Sequence, residues 1–119
     1  MITDTLERLS DFSDGTLSPE RLAGMLHIPV SELARLTGIH RNTLSRTPGA
    51  PAVQSKIGTI ARILATAADM LGNEGKAVIW FMHQPLSGFA GQTAAELVAA
   101  GNSKAVLTHL EMLRNGGYA

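Results

Sequence analysis

The sequence predicts an all-α protein, and three features support that prediction. Apolar residues make up 45% of the 119 residues but aromatic residues only 4%, so aliphatic side chains must build the core, which suits close-packed helices better than a β-sandwich. Proline and glycine residues interrupt the chain at intervals that suit short helices. Six apolar residues are spaced as on one face of a helix: Val53, Ile57, Ile60, Leu64, Ala67 and Leu71.

Several classes of protein are not expected from this composition. The chain has no cysteine, which excludes disulfides and thiolate metal sites. The apolar run Ala77–Met82 is too short to span a bilayer, and the acidic N-terminus does not resemble a secretory signal. The four histidines lack metal-ligand spacing, and no nucleotide-binding or nucleophile motif occurs. We therefore expect a soluble, cytoplasmic protein without a membrane partner, and neither an enzyme nor a protein with a cofactor or metal.

Positive charge is concentrated in the middle of the chain, although ten basic and ten acidic residues balance overall. Residues 1–34 carry two basic and six acidic side chains, whereas residues 35–62 carry five basic and no acidic ones. Residues 63–119 carry three basic and four acidic side chains. The basic middle is suited to phosphate binding, and the alternative is an ordinary solvated face.

The helix-breaking and helix-capping residues predict three regions, namely an arm or short helix at 1–17, a helix-turn-helix module at 18–52 and a helical domain at 53–119. Ser18 and Pro19 form a helix start, because serine accepts free amide hydrogens and proline lacks one. Gly101 suits the left-handed end of a helix that Thr93 caps. The first three predicted helices run from Pro19 to before Pro29, over Ser31–Leu36 and over His40–Arg46. The next three cover Val53–Leu71, Lys76–Gln84 and Ala94–Ala100. The last runs from Asn102 or Ser103 towards Gly116, and its inward-facing residues are Val106, Leu107, Leu110 and Leu113.

A helix-turn-helix pattern lies between Val30 and Thr47. Ala34 leaves room for a crossing helix, Gly38 tolerates positive φ in the turn, and Ile39 and Leu44 supply core contacts. The second helix and its flanks present side chains suited to phosphates and base edges. The predicted DNA-binding residues are Arg35, His40, Arg41, Asn42, Thr43, Ser45, Arg46 and Lys56.

An alternative to DNA binding and a choice about the dimer contact both remain open. The helix-turn-helix could serve only packing or a protein contact. If it binds DNA, we expect a homodimer that reads two half-sites. The apolar stripe on residues 53–71, flanked by Gly58, Ala61, Ala65 and Ala68, could form the dimer contact or simply the core.

The C-terminal half contains a further pattern of residues: Trp80, Pro85, Gly91, Thr93, Glu96, Leu97, Gly101, Val106, Leu110, Gly116 and Tyr118. With this pattern it resembles the toxin-binding domain of Xre/MbcA/ParS-type antitoxins. An N-terminal Xre-like helix-turn-helix before such a domain is also the family arrangement. Two positions depart from the pattern, since the family usually has Asn where this chain has Leu86 and often Pro where it has Ala94.

The resemblance implies an antitoxin that blocks a cognate RES-domain, NAD-degrading toxin and represses its own operon by binding operator DNA. We expect the loop 85–91 and the C-terminal tail to occlude the toxin's NAD site, because the loop is apolar and the tail combines glycines, one aromatic ring and a carboxylate. The predicted toxin-binding residues are Pro85, Leu86, Ser87, Gly88, Phe89, Arg114, Gly116, Gly117, Tyr118 and Ala119. Alternatively, Phe89 and Tyr118 pack on the core. Other possibilities are a stand-alone dimeric repressor and an antitoxin that does not bind DNA.

Overall fold

The computed structural model describes residues 16–116 together with Thr5 and Leu9, and these residues include seven helices and no β-strand. The all-α prediction is confirmed. Most of the predicted arm at 1–17, and the tail residues Gly117, Tyr118 and Ala119, lie outside the described residues. The helices are α1 (Pro19–Leu26), α2 (Val30–Thr37), α3 (Arg41–Arg46), α4 (Pro51–Leu71), α5 (Glu74–His83), α6 (Ala94–Ala99) and α7 (Ser103–Arg114).

Local side chains fix several of the helix ends, as the sequence predicts. The Ser18 hydroxyl accepts a hydrogen bond from the Arg21 amide at 3.2 Å, and Pro19 begins α1. At α6, Thr93 and Glu96 form a reciprocal capping box, in which each side chain accepts from the other's backbone amide at 3.1 and 2.9 Å. Gly101 follows α6 with φ +82°. These helix boundaries therefore follow from short sequence signals.

The helices pack so that the two predicted halves share one core. Only Gly72 and Asn73 separate α4 from α5, so α5 returns along α4 and packs on it. Helix α6 packs on α2, α5 and α7, and α1 contacts each of α2 to α5. One cluster of buried side chains contains Leu33 and Leu44 from the helix-turn-helix as well as Phe81 and Val106 from the C-terminal half. The division at residue 52 stays a prediction, and the core continues across it.

The apolar stripe of α4 belongs to this core. Its first five members, from Val53 to Ala67, are at most 1% exposed, whereas Leu71 is 41% exposed at the helix end. A side chain buried within one chain cannot also pair with a second copy, so the core alternative is correct for these five. In the flank, Ala61, Ala65 and Ala68 are buried. A Cβ atom at Gly58 would meet nothing within 4 Å, so no described helix approaches closely there.

The C-terminal turn of α7 extends beyond the packed body. Val106 and Leu110 are buried, but every residue from Glu111 to Gly116 is exposed. The prediction that Leu113 faces inward is wrong, because this side chain is 44% exposed. It continues the apolar stripe of Val106 and Leu110 past the point where other described helices cover α7.

None of the described helices is both long enough and apolar enough to cross a membrane.

Candidate nucleic-acid interface

Helices α2 and α3 form the predicted helix-turn-helix, and a threonine fixes the turn between them. Gly38 ends α2 with φ +72°, a conformation that glycine adopts without strain. The Thr37 hydroxyl donates to the Leu33 carbonyl at 2.9 Å and accepts from the Ile39 amide at 3.2 Å. Thr37 and Gly38 lie at the turn that the sequence predicts. The hydrogen bonds of the Thr37 hydroxyl were not predicted, although a hydroxyl residue before a turn glycine is a recognisable local signal. These bonds set the direction in which α3 leaves the turn.

The exposed side of α3 carries the predicted DNA-binding residues of that helix. Leu44 anchors the helix and is 1% exposed. His40 caps α3, since its Nδ1 accepts from the Asn42 amide at 3.1 Å. In the part of the chain that the structure describes, the side chains of Arg41, Asn42 and Arg46 have no hydrogen-bond or ion-pair partner. The residues exposed around Leu44 are His40, Arg41, Asn42, Thr43, Ser45 and Arg46.

Arg35 differs from the α3 arginines because the Glu32 carboxylate binds its guanidinium. Its Nε donates to Glu32 Oε2 at 2.9 Å, and its terminal guanidinium nitrogen binds the same oxygen. This hydrogen bond lowers the pKa of Glu32 and raises the pKa of Arg35, and the charge of Glu96 on α6 adds a smaller upward effect on Arg35. The three-residue spacing of Glu32 and Arg35 on one helix is a sequence signal for this pair.

Lys56 lies at a different place from the α3 face. It lines a groove bounded by the turn after α2, the N-terminal half of α4 and the segment that joins α6 to α7. No residue of α3 lines this groove. The structure therefore brings six of the eight predicted DNA-binding residues together around Leu44, leaves Arg35 in an ion pair, and places Lys56 in the groove.

Gln54 on α4 joins the residues just before α1 to the segment between α3 and α4. Its amide nitrogen donates to the carbonyls of Leu17 and Pro48 at 2.8 and 2.7 Å, and its Oε1 accepts from the Leu17 amide at 2.9 Å. One side chain thus holds both the entry to α1 and the connection before α4. The sequence gives no signal for this contact, because Leu17 and Gln54 are far apart along the chain.

Two apolar side chains of the predicted toxin-binding loop, Leu86 and Phe89, pack against the rest of the protein, whereas most of its other residues are exposed. Leu86 is 4% exposed, and its amide donates to the Gln92 carbonyl at 2.8 Å. Phe89 is half-buried and meets the His109 ring edge-on, with ring centroids 5.9 Å apart. Leu86 is therefore buried within this chain, and Phe89 packs as the alternative interpretation expects, whereas the toxin-binding role of both residues stays a prediction. Among the described residues of the predicted set, the exposed ones are Pro85, Ser87, Gly88, Arg114 and Gly116.

The described residues contain no group of three or more His, Asp and Glu side chains that could hold a metal ion. No protein-family model matches the chain, and neither a curated protein nor a solved structure matches it.

Proposed function

We propose that this chain is a non-catalytic antitoxin that acts in the cytoplasm, binds operator DNA of its own promoter as a homodimer, and blocks a cognate RES-domain toxin. The observation that carries the DNA-binding part is the exposed side of α3, where two arginines and an asparagine have no partner within the described residues. The antitoxin part rests on the resemblance of the C-terminal half.

The chemistry of α3 is suited to duplex DNA. Arginine pairs with guanine edges or phosphates, and asparagine pairs with adenine. Ser45 and Thr43 add hydroxyl groups for phosphate oxygens. Because α3 has only six residues, one copy offers few contacts, and two copies on half-sites about one DNA turn apart would supply the remaining affinity.

Arginine substitutions on α3 test the DNA-binding part. We expect Arg41→Ala and Arg46→Ala each to weaken binding to a promoter fragment by about tenfold, because each removes a charged contact. Fluorescence anisotropy over a range of salt concentrations measures both the affinity and its salt dependence.

Arg62→Ala is the matched control, because Arg62 is an exposed arginine of the same basic segment on α4. Equal losses for Arg41→Ala, Arg46→Ala and Arg62→Ala would indicate general charge attraction and contradict a specific α3 contact.

The exposed end of α7 supports the partner-binding part of the proposal. Met112 and Leu113 are 57% and 44% exposed, although both are large apolar side chains. Arg114 follows them directly and Gly116 lies two residues further on, and both belong to the predicted toxin-binding set. An exposed apolar turn beside these residues suits a contact with another protein.

Deletion of Gly116–Ala119 tests the toxin-binding part. The described residues from Glu111 onward bury no side chain, so we expect the deletion to leave the melting temperature unchanged and to abolish inhibition. The measurement is cellular NAD after co-expression with the RES-domain product of the neighbouring gene. Arg41→Ala should preserve inhibition in the same assay.

Two outcomes would count against parts of this proposal. Full inhibition by the truncated protein would contradict the role of the tail. If NAD stays constant with and without this chain while the α3 substitutions weaken promoter binding, the protein is instead a stand-alone repressor.

A further inference from the structure

The groove that contains Lys56 is large enough to hold a small molecule. Its volume is about 530 Å³, which lies within the usual range for ligand pockets. Three segments that are distant in sequence form it: the end of α2 with its turn, the first half of α4, and the connection from α6 to α7. A ligand there would touch both the helix-turn-helix and the C-terminal half.

The lining combines one positive charge with hydroxyl groups and an apolar wall. Lys56 is the charged residue among the side chains that line the groove in the described structure, and it has no described hydrogen-bond or ion-pair partner. The wall contains Ile39, Val98 and Ala99, which are buried or half-buried. A lysine without a neighbouring carboxylate attracts an anion, and the apolar wall favours a ligand with an apolar body.

The hydroxyl groups of the groove differ in what they can donate. Those of Thr37 and Thr59 already donate to the carbonyls of Leu33 and Ser55, at 2.9 and 3.0 Å. The hydroxyls of Ser55 and Ser103 make no hydrogen bond within the described residues and can therefore donate to a ligand.

We propose that this groove binds a small organic anion. Its charged group pairs with the Lys56 ammonium and accepts hydrogen bonds from Ser55 and Ser103, and its apolar body lies against the wall. Lys56 is the one residue of the predicted DNA-binding set that takes part. The proposal does not depend on the function proposed above, because the groove contains no residue of α3 or of the C-terminal tail.

Three probes separate charge from apolar contact in a binding experiment on the full chain. Benzoate has both an anionic group and an apolar ring, benzamide has a similar shape without the charge, and inorganic phosphate has charge without the ring. Two-dimensional amide NMR titrations follow the backbone signals of Gly38, Ser55, Thr59, Gly101 and Ser103. We expect saturable shifts at these amides with benzoate, with a millimolar dissociation constant for so small a probe, and weaker binding of benzamide and phosphate.

Substitution of the lysine completes the test. Lys56→Gln should weaken benzoate binding by about fivefold or more, because it removes the charge-assisted contact. Lys76→Gln is the control, since Lys76 is exposed on α5 and does not line the groove. Thermal unfolding verifies that both variants fold.

The proposal is overturned if benzoate gives no saturable shift at the groove amides, or if Lys56→Gln and the wild-type chain bind it equally. Benzamide binding as tightly as benzoate would also overturn it, because charge would then make no contribution.

Discussion

The side chain of Arg35 shows how one nearby acid changes what a basic residue can offer to DNA. Both Arg35 and Glu32 are solvent-accessible, with 61% and 34% of their side chains exposed. Their ion pair therefore contributes little to folding, but it directs the guanidinium towards α2 itself. The small stabilisation is present at neutral pH and is lost as the pH falls through the lowered pKa of Glu32.

Glu32→Gln tests whether this acid restrains DNA binding. We expect tighter binding to the promoter fragment and a log–log salt dependence that is steeper by about one unit, because Arg35 becomes available for one more phosphate. Anisotropy titrations at several salt concentrations measure both quantities. Glu20→Gln, at an exposed acid of α1, makes the same change in net charge. If both variants tighten binding equally, the ion pair has no specific effect.

Single residues also show where sequence reasoning succeeded and where it could not. The exposure of Arg41, Asn42 and Arg46 followed from their polar character around an apolar Leu44, which is a local pattern. The contacts of Gln54 with Leu17 and Pro48 depend on where distant backbone segments meet. No spacing rule predicts such a contact.

Among the helices, Gly58 and Gly38 illustrate opposite roles of glycine. Gly58 lies inside α4 with open space around it, whereas Gly38 has φ +72° at the end of α2. We expect Gly58→Ala to stabilise the protein by about 0.5–1 kcal/mol, because alanine favours helix. Gly38→Ala should destabilise it by about 1–2 kcal/mol through left-handed strain.

Urea unfolding followed by circular dichroism measures the two changes, and each variant serves as the control for the other. Destabilisation by Gly58→Ala would show that another surface approaches α4 at this position.

Helix positions were predictable because their start and stop signals are local. Ser18, Thr93 and Gly101 each act at the ends that the sequence indicated. The solvent exposure of Leu113 was not predictable, because periodicity identifies an apolar face without showing how far the neighbouring helices cover it. The same reason explains why Leu71 is exposed at the end of an otherwise buried stripe.

For the molecule as a whole, the shared core predicts that the helix-turn-helix and the C-terminal half unfold together. Leu44→Ala should lower the free energy of unfolding by about 2–5 kcal/mol. It should shift the unfolding transition seen by circular dichroism and the one seen by Trp80 fluorescence equally, since Trp80 is the single tryptophan of the chain and lies on α5.

Leu113→Ala is the matched control, because it makes the same change at a largely exposed position and should have a much smaller effect. If Leu44→Ala shifts the circular dichroism transition but leaves the Trp80 transition in place, the two halves unfold separately.

The end of α7 has a further consequence for the strength of any complex that it enters. Because no described side chain beyond Leu110 is buried, we expect this turn to fray independently of global unfolding and its amide hydrogens to exchange with solvent faster than those of the core. A partner that binds the turn as a helix must also immobilise it. The free-energy cost of this lost conformational entropy is about 1–2 kcal/mol per ordered residue, and it reduces the favourable free energy of binding. The complex then dissociates faster than its contact area alone would suggest.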